Sequence, residues 1–172
     1  ILYSWGRMEA HAKNSFNNKT RAAMLASLER VVGGMDEQNL GNAVWGLCGR
    51  MQLRYSQFPP SCRAEVGRAI VAKQDSLNMQ SLMSVLHGLS RAAGENWSNF
   101  DTEMKGALIA AVARISSQLP SRSSQSSSKL AGNVLYALGR LDVPLGQTGL
   151  TPEVQDCLVS HLAGNGGTPS VE

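Results

Sequence analysis

The sequence predicts an all-α fold, an α-solenoid of two-helix repeats with a period of about 42 residues and about four units, the first truncated. Two observations carry this. The first is a phrase that recurs. Asn133-Val-Leu-Tyr-Ala-Leu-Gly-Arg-Leu141 matches the opening Ile1-Leu-Tyr-Ser-Trp-Gly-Arg-Met8 without a gap from Val134 onward. Asn42-Ala-Val-Trp-Gly-Leu-Cys-Gly-Arg50 and Ser84-Val-Leu-His-Gly-Leu-Ser-Arg91 are looser copies. The corresponding positions Leu2, Val44, Leu86 and Leu135 are separated by 42, 42 and 49 residues. The second is an independent register with the same period: Leu28, Ile70 and Val112 are 42 apart, each 26 residues after the preceding anchor. Self-similarity at a fixed period of roughly 20–50 residues marks a repeat array.

In chain order, Ile1 to Met8 reads as the end of a helix and Glu9 to Asn18 as a polar loop. Thr20 is a candidate cap for a helix whose stripe is Met24, Leu25, Leu28, Val31 and Val32, ended by Gly33-Gly34. Asp36 caps a second helix with Leu40, Val44, Leu47 and Met51 on its buried side. Pro59-Pro60 closes the inter-unit loop, because proline cannot continue a helix. Ser61 is the candidate cap of the next helix, from about Cys62, with Val66, Ala69, Ile70 and Leu77 inward. Asn78 caps a helix carrying Leu82, Val85, Leu86 and Leu89. After the loop Ala93 to Asn99, Asp101 caps a helix with Met104, Leu108, Ile109, Val112 and Ile115. The Ser-rich stretch 120–128 reads as a lengthened loop and accounts for the slip from 42 to 49. Thr151-Pro152 starts a last helix through Val154, Leu158 and Leu162. The units are expected at about 1–8, 20–51, 61–92, 101–141 and 151–163. They form a single domain over 1–163, with residues 164–172 a disordered tail.

A chain of 172 residues suffices for one domain with a substantial core. Its charge of +3 allows an acidic partner without demanding one. Cys48, Cys62 and Cys157 are odd in number and unpaired in spacing, which argues against a disulfide framework or a zinc site. No apolar run reaches the ~18–20 residues that span a bilayer, so no membrane insertion is expected. No signal or transit peptide is visible. Ile1 falls in mid-helix by the alignment, so the chain reads as a piece of a longer protein. His11, His87 and His161 are scattered, and no phosphate-binding, nucleophile-elbow or metal-ligand motif appears. Neither an enzyme nor a cofactor is expected.

The candidate functional residues fall in rows. Arg21, Arg63 and Lys105 are 42 apart near the starts of the first helices. There the helix dipole disfavours a cation, so another cause is wanted: a basic edge that tracks a phosphate backbone is one, and a solvated face is the alternative. Arg50, Arg91 and Arg140, with Arg7, end the second helices, where the dipole alone explains a cation. Trp45, His87 and Tyr136, with Tyr3, share one register. They either cover the seam between units or form a base-stacking row. Gly46, Gly88 and Ala137, and likewise Cys48, Ser90 and Gly139, are small in register, which predicts close approach of neighbouring helices there.

The phrase Asp36-Glu-Gln-Asn-Leu-Gly-Asn-Ala-Val-Trp-Gly-Leu47 resembles the second helix of octotricopeptide-type repeats. Similar phrases occur in apicomplexan heptatricopeptide repeats and in the fas-activated serine/threonine kinase family. Gln38-Asn-Leu-Gly-Asn, Gln80-Ser-Leu-Met-Ser and Lys129-Leu-Ala-Gly-Asn are the matching openings. The chain departs from that pattern in its longer units, in His87 at the aromatic position and in the Ser-rich insertion. The resemblance implies an organelle RNA-binding helical-repeat protein that binds or stabilises a transcript or rRNA. Its setting would be mitochondrial, with a plastid as the alternative, and it could be a component of the mitochondrial ribosome. The alternative function is a protein–protein scaffold in a large complex.

Overall fold

The computed structural model describes residues 17–118, 125–144 and 151–163. Among them the chain is all-helical, with no strand and seven α-helices. They are α1 (Asn18–Val31), α2 (Glu37–Val44), α3 (Pro60–Ala72), α4 (Met79–Arg91), α5 (Thr102–Ser117), α6 (Gln125–Arg140) and α7 (Pro152–Ala163). No helix of the described residues is long and apolar enough to cross a membrane.

Helix starts follow capping chemistry. The side chains of Asn17, Asp36, Asn78 and Asp101 accept the N–H of Thr20, Asn39, Ser81 and Met104 at 2.9, 2.6, 2.9 and 2.7 Å. Each such cap contributes about 1 kcal/mol. Two expectations are corrected here. Asn17 caps α1, and Thr20 is instead the residue whose N–H is capped. In α3 the helix starts at Pro60 rather than after it, and Ser61 is inside it. Proline at the first helical position gives up only an N–H that has no partner there. A third correction concerns the Ser-rich stretch: α6 already begins at Gln125, so 125–128 are helical. Serine lowers helix propensity only slightly. Val31, expected on the inner stripe of α1, is 51% exposed, because the helix tightens into a 3-10 turn at Val32–Gly34. The first eight residues, the tail 164–172 and the side chains of Lys129, Cys157, His161 and Leu162 lie outside the described residues.

The helices pack in two rows. In one, α1, α3, α5 and α7 touch in succession; in the other, α2, α4 and α6 do. The apolar stripes of both rows meet in one core, where Leu28, Leu40, Leu47, Ile70, Leu82, Leu86, Leu108 and Leu138 are all but sealed from solvent. The expected close approach is found between α2 and α4. A Cβ added to Gly88 would lie 2.9 Å from the Val44 carbonyl carbon and oxygen, and one at Gly41 would lie 2.9 Å from the Ser81 carbonyl oxygen. These paired positions advance together, so the two helices run in the same direction. The expectation fails at Gly139, which faces open space.

The loops from α2 to α3 and from α4 to α5 are themselves in register. Tyr55-Ser-Gln-Phe58 and Trp97-Ser-Asn-Phe100 each form a 3-10 turn 42 residues apart. Their rings make one buried cluster: Tyr55 lies 5.7 Å from Phe58 and 5.5 Å from Phe100, and Trp97 lies 5.6 Å from Phe100. The buried Glu95 carboxylate accepts from Ser56 N at 2.9 Å and from the Asn99 amide at 2.8 Å. The next joint is tied by Trp97 N donating to Leu141 O at 2.7 Å and by Asn96 donating to Asp142 at 2.8 Å.

Gly88→Ala should therefore destabilise the protein by about 1–3 kcal/mol through overpacking. Gly106→Ala, exposed on α5 with nothing near its Cβ position, should stabilise it by about 0.5–1 kcal/mol. Urea unfolding of the two variants checks the contrast; equal effects would contradict the packing described.

Candidate nucleic-acid interface

The second-helix phrase carries one residue more in its first described copy than in the others. Arg50 follows Trp45 by five residues, whereas Arg91 and Arg140 follow His87 and Tyr136 by four. The helix absorbs the extra residue by widening into a π-helical turn at Trp45–Arg50, a device that recurs at functional sites. Gly49 is the residue that makes room. A Cβ there would lie 2.5 Å from the Trp45 indole, so the ring lies against bare backbone.

The aromatic register is assembled as a continuous row. Trp45 and His87 have ring centroids 6.3 Å apart, edge to face, and His87 and Tyr136 are again 6.3 Å apart. One ring comes from each of α2, α4 and α6. Trp45 and His87 are half-buried, and Tyr136 is 54% exposed. The terminal arginines of the same helices lie over these rings. The guanidinium carbons of Arg50 and Arg91 sit 5.4 and 5.5 Å from the Trp45 centroid, and that of Arg140 is 5.9 Å from Tyr136. All three arginines are exposed. Arg50 and Arg91 have no carboxylate partner among the described residues, where the ion pair formed is Arg68 with Glu65. Arg140 also closes the last turn of α4, since its Nε donates to Ser90 O at 2.9 Å.

Arg21, Arg63 and Lys105 occupy equivalent places in the other row of helices. Each backbone N–H makes the first helical hydrogen bond, to Asn17, Pro59 and Asp101 O at 3.1, 2.9 and 3.0 Å. All three side chains are half-buried. The Nε atoms of Arg21 and Arg63 are enclosed with no partner among the described residues, while Arg63 Nη1 reaches Ser56 O at 3.4 Å. Arg63 is thus drawn into the preceding loop, and Tyr55 donates its hydroxyl to Arg63 O at 2.8 Å. Arg114, not singled out by its spacing, donates to Gln74 O and Leu77 O and so closes the turn between α3 and α4.

Between the second helices runs an open groove of about 250 Å³ lined by Trp45, Gln80, Met83, Ser84, His87 and Asn133. Gln80, Ser84 and Asn133 were absent from the candidate site residues, although they sit in the opening phrases of the repeats. Burial lowers the His87 pKa first, and the Arg91 charge lowers it further; the Asn133 backbone opposes this. The His87 Nε2 is enclosed with no partner among the described residues. Burial drives the Cys48 thiol far up and pushes Cys62 up to about 11, so neither is a thiolate nucleophile at neutral pH. Among the described residues no group of three His, Cys, Asp or Glu could hold a metal ion.

Neither a family model, a curated protein nor a solved structure matches the chain.

Because His87 is held neutral when folded, the unfolded chain binds its proton first as pH falls. Stability should therefore decline with falling pH from about 6.5 downward, and the loss should end once the folded-state pKa is passed. In His87→Gln that part of the pH dependence should vanish. Thermal unfolding from pH 7.5 to 5 measures it, and an unchanged slope would show that His87 is not responsible.

Proposed function

We propose that the two rows of helices are an α-solenoid of two-helix units and that the protein binds single-stranded RNA along the face carried by α2, α4 and α6. The observation that supports this is the row Trp45–His87–Tyr136 with arginines held over its ends. A contact spacing of 6.3 Å is nearly twice the ~3.4 Å rise per nucleotide of a stacked strand. A strand laid along the row would have its bases spread apart, as protein–RNA readout from single strands requires. Arg50 and Arg91, free of carboxylates among the described residues, are placed to neutralise phosphates beside those bases.

Arg21, Arg63 and Lys105 lie on the other row of helices, and Arg63 reaches the loop before α3. Their half-buried side chains and the Arg63 contact to Ser56 O favour a part in seating the loops. The weight of the RNA-binding reading therefore moves to the second-helix arginines. An organelle setting, mitochondrial before plastid, and membership of a ribosome rest on the resemblance of the repeat phrase. The second reading is a scaffold that holds a polypeptide on the same face. Met83 in the groove and the exposed Met79 beside it at the start of α4 favour it.

Affinity for a single-stranded RNA measured against salt separates the two. RNA binding predicts a log–log slope of about −0.7 per neutralised phosphate, so Arg50→Ala with Arg91→Ala should reduce the slope by about 1.4. Arg21→Ala, Arg63→Ala and Lys105→Ala together should weaken binding less than that pair does. A wild-type slope near zero would sink the RNA reading. Trp45→Ala and Tyr136→Ala should each weaken binding by about 1–3 kcal/mol if a base stacks there.

A further inference from the structure

The ring row is one line of a wider pattern. Each second helix carries three residues at i, i+4 and i+7, which share one face. They are Gln38, Asn42 and Trp45 on α2; Gln80, Ser84 and His87 on α4; Lys129, Asn133 and Tyr136 on α6. Every unit thus follows a long polar side chain with a short amide or hydroxyl and then a ring. None of the described side chains in this set is buried: Gln38, Gln80 and Tyr136 are exposed, and Asn42, Trp45, Ser84, His87 and Asn133 are half-buried. Polar residues on a helix face beside a core are usually just solvated. Here five residues of the set are instead brought together around one concavity. The groove of about 250 Å³ takes Trp45 from α2, Gln80, Ser84 and His87 from α4, and Asn133 from α6, with Met83 as an apolar wall.

The chemistry of that lining is specific. Its walls are an indole, an imidazole and a thioether, which suit a flat apolar surface. Its polar groups are two carboxamides and a hydroxyl, all uncharged and each both donor and acceptor. The Gln80 amide and the Ser84 hydroxyl have no hydrogen-bond partner among the described residues. An aliphatic ligand would leave such groups unmatched, at a cost. A phosphate would go instead to the cations at Arg50 and Arg91, which border Trp45. What matches flat walls and a neutral donor–acceptor edge, with cations alongside, is a planar heterocycle attached to a phosphodiester.

The geometry points to this groove as the seat of a single nucleobase, walled by Trp45, Met83 and His87 and read at its edge by Gln80, Ser84 and Asn133. This rests on the RNA-binding reading and deepens it from affinity to base discrimination. The seat draws on all three helices, with Trp45 from α2, Gln80, Ser84 and His87 from α4, and Asn133 from α6. Ser84 stands where α2 and α6 carry Asn42 and Asn133, so the α4 seat has its own preference.

The test uses the full chain and short single-stranded homopolymers of A, C and U at one salt concentration. The wild type is expected to bind them unequally. Gln80→Ala with Asn133→Ala should shrink the spread between the best and worst homopolymer by about tenfold and leave the salt slope unchanged. Ser84→Asn should alter the order of preference without loss of overall affinity. These side chains are outside the core, so unfolding midpoints should match the wild type. Equal wild-type affinities, an unchanged spread in the double variant, or a uniform loss on all three homopolymers would overturn the base seat while leaving RNA binding intact. Absence of any salt-dependent binding by the wild type would overturn the RNA reading and the seat with it.

Discussion

The approach of α2 to α4 is the constraint on which the rest of the structure depends. At Gly88 and Gly41 the neighbouring helix backbone comes so close that even a methyl group would lie 2.9 Å from a carbonyl. Glycine within a helix costs about 1 kcal/mol relative to alanine. The loss is offset because the helices come close enough for Leu40, Val44, Leu82, Val85 and Leu86 to be buried together. The same closeness sets the surface geometry. Residues at one register on parallel helices are brought into contact, so the rings of Trp45 and His87 meet at 6.3 Å.

The loops carry the second constraint. They are not slack connectors: Tyr55, Phe58, Trp97 and Phe100 are part of the one hydrophobic core, and the Glu95 carboxylate satisfies Ser56 N and the Asn99 amide. A buried carboxylate is tolerated only when hydrogen-bonded, so these contacts fix how the loop after α2 meets the loop after α4. Hydrogen bonds from Trp97 and Asn96 to Leu141 and Asp142 pass the same restraint onward. These contacts tie the loops to the helix rows and so help hold the face of α2, α4 and α6 in one register.

The π-helical turn shows how one inserted residue changes a site without disturbing the packing of α2 on α4. The helix widens locally, Gly49 clears space for the indole, and Arg50 still arrives over Trp45 at a distance like that of Arg91. Two guanidinium groups against one ring, with no carboxylate among the described residues to balance them, leave a positive potential at that end of the row. The same field helps keep His87 neutral, so the middle of the face stays uncharged while its edge is cationic.

Periodicity determined the helical class and the apolar stripes of the helices, because burial of a stripe repeats wherever the helix does, and residue type gave the caps at Asp36, Asn78 and Asp101; the buried loop residues Tyr55, Phe58, Trp97 and Phe100 were not read as core. The ring register was legible for the same reason, and the loop period from Tyr55 to Trp97 was there to be read. Thr20 and Ser61 were misplaced as caps because a cap is decided by where the backbone leaves the extended region, which side-chain type signals only weakly. The tertiary structure decided what spacing cannot. It drew Arg21 and Arg63 inward, gave Arg140 a carbonyl to close, and set Gln80, Ser84 and Asn133 around one groove. The Arg140 contact and the groove depend on the distance between helices that are far apart in the chain. That distance is fixed by the packing of whole faces and not by any local pattern of residues.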